Sequence, residues 1–481
     1  MPSLRESMSG VDLAWLRMER PTNPMMVIGV LTLATRLRFA AVRALIDARL
    51  MRFRRFRELP RHDLAGTHWE SDPAFTLDAH LHRLTLPARA AQRQLEAAVS
   101  ALASTQLDPR HPLWQIHVVE RYRQGSAIIA RFHHCYADGI ALLRVFGTLT
   151  DEQAAAAPAA VESDPAAPAA SLLAGLPLVG SLASSLQSVG SGALEIVSAS
   201  LHALSHPGET AALATRVSAA TAELARVALL PEDPATPLRA RLTTRKHVAW
   251  SAPLSLGEVK TIAHALDCTV NDLLLSTVAG ALGGHLRAQG SATDGVAIRA
   301  LVPVNLRPAT APVTLGNQFG LVFASLPIGE REPIARLAQV HRNMQALKGS
   351  AQPLMSLWLL LGMGLLPDVV ESQAIDIFTR KASLVISNVP GPQQPLFLGG
   401  ARIEQELFWV PQAGHLGLGV SLFTYDGHVS FGVMADHNVL ADPRTVVRRF
   451  ATEFENLLLC VISKRPAQAR QRERRRRRDT P

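Results

Sequence analysis

Cysteine is nearly missing from this chain: Cys135, Cys268 and Cys460 are the only three in 481 residues. That excludes a disulfide-stapled secreted scaffold and suits a reducing compartment. Aromatic residues are scarce at 5%, so the 48% hydrophobic content is carried by Ala, Leu and Val. No apolar run is long enough to cross a bilayer; the most apolar, Ser356 to Leu366, stops at Pro367 and Asp368. Met1 to Glu6 has no apolar signal core. Between Asp164 and Glu195 there is no charged residue at all. A Gly-x-Ser-x-Gly elbow is also absent, which argues against an α/β-hydrolase.

What the chain does have is Ser126-Ala127-Ile128-Ile129-Ala130-Arg131-Phe132 running directly into His133-His134-Cys135-Tyr136-Ala137-Asp138-Gly139. Side chains alternate along a strand, so the two histidines cannot face the same way. One is expected to face a cleft while the other packs inward or holds the backbone. Asp138 precedes the apolar segment Ile140-Ala141-Leu142-Leu143-Arg144-Val145-Phe146 and is placed as a helix N-cap. Gly139 lets the chain turn there without a Cβ clash. A neutral imidazole so placed can take a proton from a hydroxyl or thiol. Spacing alone leaves a satisfied core pair followed by an ordinary Asp-Gly turn as an equal reading. A metal site is disfavoured, because neighbouring strand residues diverge and no third ligand follows at metal-type spacing. Cys135 would point away from His134 and reads as a buried small residue rather than a nucleophile.

The heptad is similar to the HHxxxDG signature of CoA-dependent acyltransferases, a superfamily that includes chloramphenicol acetyltransferase and peptide-synthetase condensation domains. Further segments, in order, resemble the bacterial wax ester synthase/diacylglycerol acyltransferase family. They are Met8-Ser9-Gly10-Val11-Asp12 with Pro24-Met25-Met26, Phe75 to His80, Pro112-Leu113-Trp114, Asn271-Asp272, Pro303-Val304-Asn305-Leu306-Arg307 with Gly316-Asn317, and Ser387-Asn388-Val389-Pro390-Gly391-Pro392. The resemblance spans residues 8 to about 460. It implies an α/β architecture: two chloramphenicol-acetyltransferase-like domains, mixed sheets flanked by helices, and an active-site tunnel between them. It implies direct acyl transfer from acyl-CoA, a substrate, to diacylglycerol or a long-chain alcohol, with no cofactor. His134 would be the general base and His133 a supporting residue. Asp138 would be structural, held by an Arg for which Arg307 is the candidate, and Trp114 would pack structurally. Asn271 would donate to the developing oxyanion, worth ~3–4 kcal/mol when preorganised, or else cap the helix that starts at Asp272. Two other functions stay open: a condensation-type transferase using a carrier-bound thioester, and a non-catalytic lipid-surface binding protein on the same fold.

Composition divides the chain into two folded parts (1–150 and 241–463), an Ala/Pro/Ser-rich linker with helices between them (151–240) and a basic tail (464–481). The resemblance implies that the folded parts are an N-terminal acyltransferase domain and a C-terminal acyltransferase-like domain. The linker holds the apolar stretch Leu172 to Gly180 and helical Ala/Leu spacing from Glu209 to Leu230. Beyond it, helices are expected at Leu254–Leu266, Asn271–Ala288 and Pro443–Cys460. Strands are expected at Val296–Val304, Phe319–Leu326, Ala382–Ser387, Leu416–Tyr425 and His428–Ala435, with a hairpin at Tyr425-Asp426-Gly427. The tail carries nine Lys/Arg and two acids, a net +7 against +9 for the whole chain. It is expected to be disordered through self-repulsion. Its charge suits anionic lipid headgroups at ~1 kcal/mol per basic residue. The charge equally suits a solvated tail with no partner or non-specific nucleic acid binding. The lipid substrates that the resemblance implies are what point to peripheral association with the inner membrane face or lipid inclusions in the cytoplasm, with no specific nucleic acid partner expected.

Overall fold

A computed structural model describes residues 5–64, 66–87, 90–152, 229–307, 315–348, 352, 356 and 368–478, with backbone alone for 368–370 and 464–478. The linker helices, Leu172–Gly180 and most of the apolar run after Ser356 lie outside the described residues.

Two seven-stranded sheets dominate. The first has the order β5 (Leu81–Arg83), β6 (Trp114–Tyr122), β7 (Gly125–His133), β2 (Met26–Leu33), β15 (Ala401–Trp409), β14 (Phe397–Leu398), β8 (Thr150–Asp151). The second runs β10 (Leu254–Ser255), β17 (His428–Asp436), β16 (Leu418–Tyr425), β13 (Leu384–Pro390), β11 (Ile298–Asn305), β12 (Phe319–Leu326), with β9 (Lys246–Trp250) also on β17. A small sheet of β1 (Glu6–Ser7), β4 (Gly66–Ser71) and β3 (Glu58–Asp63) stands apart. Both large sheets mix parallel and antiparallel pairs. β7, β16 and β17 read as near-continuous apolar runs, as strands covered on both faces do.

Local chemistry explains the element boundaries. Thr269 and Asp272 form a reciprocal capping box, each side chain accepting the other's backbone N–H at 3.1 Å, and start the helix Val270–Ala288. The cap is therefore Thr269; Asn271 lies one residue inside the helix. That helix is apolar nearly all round because it is buried between its sheet and the helices Pro333–Leu347 and Arg444–Arg478. At the β16–β17 hairpin, Tyr425 pairs with His428 and the two loop residues take positive φ, 45° at Asp426 and 71° at Gly427. Both φ > 0 is what a tight Asp-Gly hairpin loop demands.

Two expectations change. The sheets do not respect a division at residue 241, since β14 and β15 leave the C-terminal half and complete the first sheet, β15 pairing antiparallel with β2. The basic segment is not unstructured: the closing helix runs Arg444–Arg478. Its first turns pack on the second core; the helix then runs through Pro466, an unfavourable interior position, into Arg-, Gln- and Ala-rich sequence of good helix propensity.

The crossing strand docks without slack. A Cβ built on Gly432 of β17 would stand 2.6 Å from Trp409 Cζ2 and 3.0 Å from Leu407 Cδ2. Gly432→Ala is therefore expected to lose about 1–3 kcal/mol by overpacking, measured by denaturant unfolding, while Gly427→Asn in the hairpin loop stays near wild type.

Candidate active site

β7 ends at His133, and the chain turns over the next three residues before the helix Gly139–Gly147. The backbone of this turn is tied down on both sides. His133 N–H donates to the Leu113 carbonyl at 2.9 Å, and His134 N–H to the Met25 carbonyl at 2.7 Å. Beneath it, Tyr136 OH donates to the Glu58 carbonyl at 2.5 Å and accepts from Leu113 N–H at 3.0 Å. Phe56, Trp69 and Trp114 pack round that ring cluster, and Trp114 is fully buried with its indole N–H on the Phe56 carbonyl.

The two imidazoles face apart, as strand alternation requires. His133 Nδ1 accepts Cys135 N–H at 3.2 Å, so the ring proton sits on Nε2, which lies 3.3 Å from Glu19 Oε2. Burial alone would push the Glu19 carboxyl up; His133, the Met25 N–H and Gln106 outweigh it and hold the group below its usual range. Glu19 thereby fastens both Met25 and His133, and His133 supports the turn.

His134 turns into a cavity of about 220 Å³ between the two sheets. The cavity lining is mainly apolar; Trp15, Leu301, Phe319, Val385, Phe408 and Leu416 contribute from both halves. Trp15 lies over the imidazole with ring centroids 4.1 Å apart, and Phe319 meets it edge-on at 5.5 Å. Nδ1 is buried without a hydrogen-bond partner, which leaves Nε2 as the nitrogen on the cavity side. Burial in this apolar shell pushes the ring's pKa down to about 4, against the opposing pull of Asp138. The imidazole is therefore neutral at physiological pH, with a lone pair available. Burial also pushes the Cys135 thiol well up, so Cys135 holds no thiolate.

Asp138 points away from the cavity chemistry. Its Oδ1 caps the following helix through Ala141 N–H at 2.9 Å. Arg307 Nη1 reaches both carboxylate oxygens, at 2.7 and 2.5 Å, and Gln318 N–H adds a bond at 2.9 Å. Both side chains of the pair are buried. The same segment continues the clamp: Gly316 N–H donates to the Tyr136 carbonyl at 3.0 Å, and Arg307 Nη2 donates to the Gly316 carbonyl. Arg307 is thus the partner expected for Asp138. Gly139 has an ordinary helical backbone rather than a left-handed one. Its smallness serves Phe408, whose ring would lie 3.3 Å from an added Cβ.

Asn271 does not line the cavity. Its Oδ1 accepts from Asn388 Nδ2 at 2.7 Å, and Asn388, from β13, is the amide at the cavity wall. The resemblance names Asn271 as the donor; here Asn271 sits behind Asn388, a pairing of helix and strand that only the tertiary fold makes. Trp15, Asn305, Asn317 and Phe319 also belong to the site. Except for Trp15 and Phe319, they lie inside the motif segments named above, but nothing in one sequence ranks them. Among the described residues no group of three His, Cys, Asp or Glu side chains converges as a metal site would need.

Removing one partner of the buried pair strands the other charge. Arg307→Leu is expected to cost about 3–5 kcal/mol, seen as a lower denaturation midpoint, and to abolish turnover with the loss of the turn that carries His134.

Comparison with known proteins agrees with this geometry. The chain is 28% identical over 425 residues to the protein named "Probable diacyglycerol O-acyltransferase tgs1" of Mycobacterium tuberculosis, covering 85% of each. Its fold is similar to the wax ester synthase/diacylglycerol acyltransferase from Marinobacter aquaeolei, with TM-score 0.66, 21% identity, and 95% and 99% of the two chains covered. It is also similar to the first condensation domain of the calcium-dependent antibiotic synthetase, with TM-score 0.59, 12% identity, and 94% and 95% covered. At such identities the structures speak for the two-domain fold alone. The family models for the wax ester synthase/diacylglycerol acyltransferase catalytic domain and for the WS/DGAT C-terminal domain match residues 8–274 and 315–458. The chain therefore belongs to the wax ester synthase/diacylglycerol acyltransferase family and is an acyltransferase.

Proposed function

We propose that this acyltransferase moves a fatty acyl group from acyl-CoA directly to the hydroxyl of diacylglycerol or a long-chain alcohol, with His134 as the general base. The observation that carries the reading is the neutral His134 ring with Nε2 toward an apolar cavity shared by both sheets. Nε2 takes the acceptor's hydroxyl proton as its oxygen attacks the thioester carbon. The tetrahedral intermediate collapses with cleavage of the C–S bond, and the imidazolium returns the proton to the departing CoA thiolate. The products are an ester and free CoA, with no acyl-enzyme, which suits the inert Cys135. Asn388, whose amide group has one N–H beyond its bond to Asn271, is placed to donate to the oxyanion. The relative's printed name favours diacylglycerol as acceptor, and the family name keeps fatty alcohols beside it.

His134→Ala is expected to fold and to lose at least a hundredfold in turnover, the scale of a general base. The assay is acceptor-dependent CoA release from palmitoyl-CoA with dioleoylglycerol or hexadecanol. Release without acceptor would instead mark a thioesterase, and no release a binding protein. The active form has a neutral ring, so activity is lost as pH falls through its pKa. The acid limb of kcat/KM is therefore expected near about 4 rather than at the usual histidine value. A limb centred at 6.5 would contradict a buried base.

The substrates partition into lipid, and we place the enzyme peripherally on the inner membrane face or on lipid inclusions in the cytoplasm. No single helix among the described residues is long and apolar enough to cross a membrane. The net +7 from Lys464 onward supplies attraction to anionic headgroups. Deleting residues 466–481 is expected to weaken binding to phosphatidylglycerol vesicles in low salt and to spare turnover of short soluble alcohols. Undiminished vesicle binding would take the membrane role away from the tail.

A further inference from the structure

Nothing in the acyl transfer described above uses Asn317, yet its carboxamide lies against the catalytic turn. Nδ2 donates to the His134 carbonyl oxygen at 2.8 Å and to Asp12 Oδ1 at 2.7 Å. Asp12 comes from the helix Gly10–Arg17 and Asn317 from the loop before β12, so the contact joins the two ends of the fold at the base. Asp12, Asn317 and His134 are all buried.

The orientation of the amide follows from its partners. A carbonyl only accepts, and so does a carboxylate once ionised; burial pushes the Asp12 carboxyl up to about 6, so above that pH the flipped amide would set Oδ1 against two acceptors. With Nδ2 committed, Oδ1 is left buried and without a donor. The neighbouring His134 Nδ1 is likewise buried and without a partner. A neutral imidazole carries one N–H and one lone pair. With the proton on Nδ1, the ring N–H has two acceptors beside it, the residue's own backbone carbonyl and the Asn317 side-chain oxygen. With the proton on Nε2, the Nδ1 lone pair would be set beside those oxygens in the interior, and the nitrogen at the cavity would hold no lone pair for the substrate.

We infer that Asp12 and Asn317 are positioning residues for His134: Asp12 fixes the Asn317 amide, Asn317 Oδ1 receives the Nδ1 hydrogen bond, and the lone pair is thereby held on Nε2. The inference rests on His134 being the base. During turnover the Nδ1 proton stays in place, while Nε2 gains the acceptor's proton and passes it to the thiolate. The charged groups that face Asp12 are Arg55 and Asp138, and His134 itself faces Asp138 and His133.

The test is steady-state kinetics with palmitoyl-CoA and hexadecanol across roughly pH 3–9, from below the wild-type limb upward, for Asn317→Leu, Asn317→Asp and Asp12→Asn, with His134→Ala as reference. Asn317→Leu is expected to lower kcat at least tenfold while KM for palmitoyl-CoA moves less than threefold. Asn317→Asp restores an acceptor, now anionic, opposite Nδ1. It should recover part of kcat and move the acid limb up by at least one pH unit, since a carboxylate there favours the imidazolium. Asp12→Asn should fall between wild type and Asn317→Leu. An inactive His134→Ala together with an Asn317→Leu that keeps kcat within twofold, or an Asn317→Asp with an unmoved acid limb, overturns the positioning role. An active His134→Ala overturns the base assignment instead. If circular dichroism shows Asn317→Leu unfolded, the limb of Asn317→Asp decides alone.

Discussion

The buried ion pair between Asp138 and Arg307 is the contact on which the site depends. One member caps the helix after the turn that carries His134, and the other lies just beyond β11, next to the edge strand β12 of the opposite sheet. A carboxylate and a guanidinium out of water are stable only with their hydrogen bonds completed. Here a helix N–H, the Gln318 N–H and two arginine contacts complete those of the carboxylate, while the guanidinium gives Nη1 to Asp138 and Nη2 to the Gly316 carbonyl and keeps only Nε buried without a partner. Little rotation of one half against the other is compatible with that set, so the cavity between them is defined by an electrostatic lock at its back.

The lock also shields His134 from charge. Because Asp138 spends its lone pairs on Arg307 and the backbone, it does not contact the His134 ring, and its field only partly opposes desolvation. The imidazole keeps its lone pair in a dry wall of Trp15 and Phe319. A weaker base is the consequence, and a low-dielectric setting that magnifies every dipole near the reacting carbonyl is the compensation. The support of the other histidine by Glu19 is separate, which explains how adjacent residues of one type carry different duties.

Much of this was legible in the sequence, and for reasons that differ by residue. The opposite facing of His133 and His134 follows from strand alternation, and the Asp138 cap from its place before an apolar helix. The hairpin at Asp426-Gly427 follows from two residues that tolerate positive φ. Strands such as Phe319–Leu326 and helices such as Val270–Ala288 are strongly periodic or uniformly apolar, so their extents agree within a residue or two. What could not be read was pairing at long range. Asn388 rather than Asn271 stands at the cavity, and Thr269 rather than Asn271 caps the helix. The transfer of β15 into the first sheet has no local signature, because a strand covered on both faces looks alike in either sheet.

That transferred strand has a bearing on how the molecule is made. β2 is near the start of the chain, and its neighbour β15 ends at Trp409. Until the ribosome has delivered that segment, the middle of the first sheet is an open edge with unpaired N–H and C=O groups, a template for the wrong partner. Pairings of such sequence separation are slow to form and exposed to aggregation meanwhile. The first sheet cannot complete itself during synthesis and must wait for strands of the second half, whose own sheet draws all its strands from Lys246 onward.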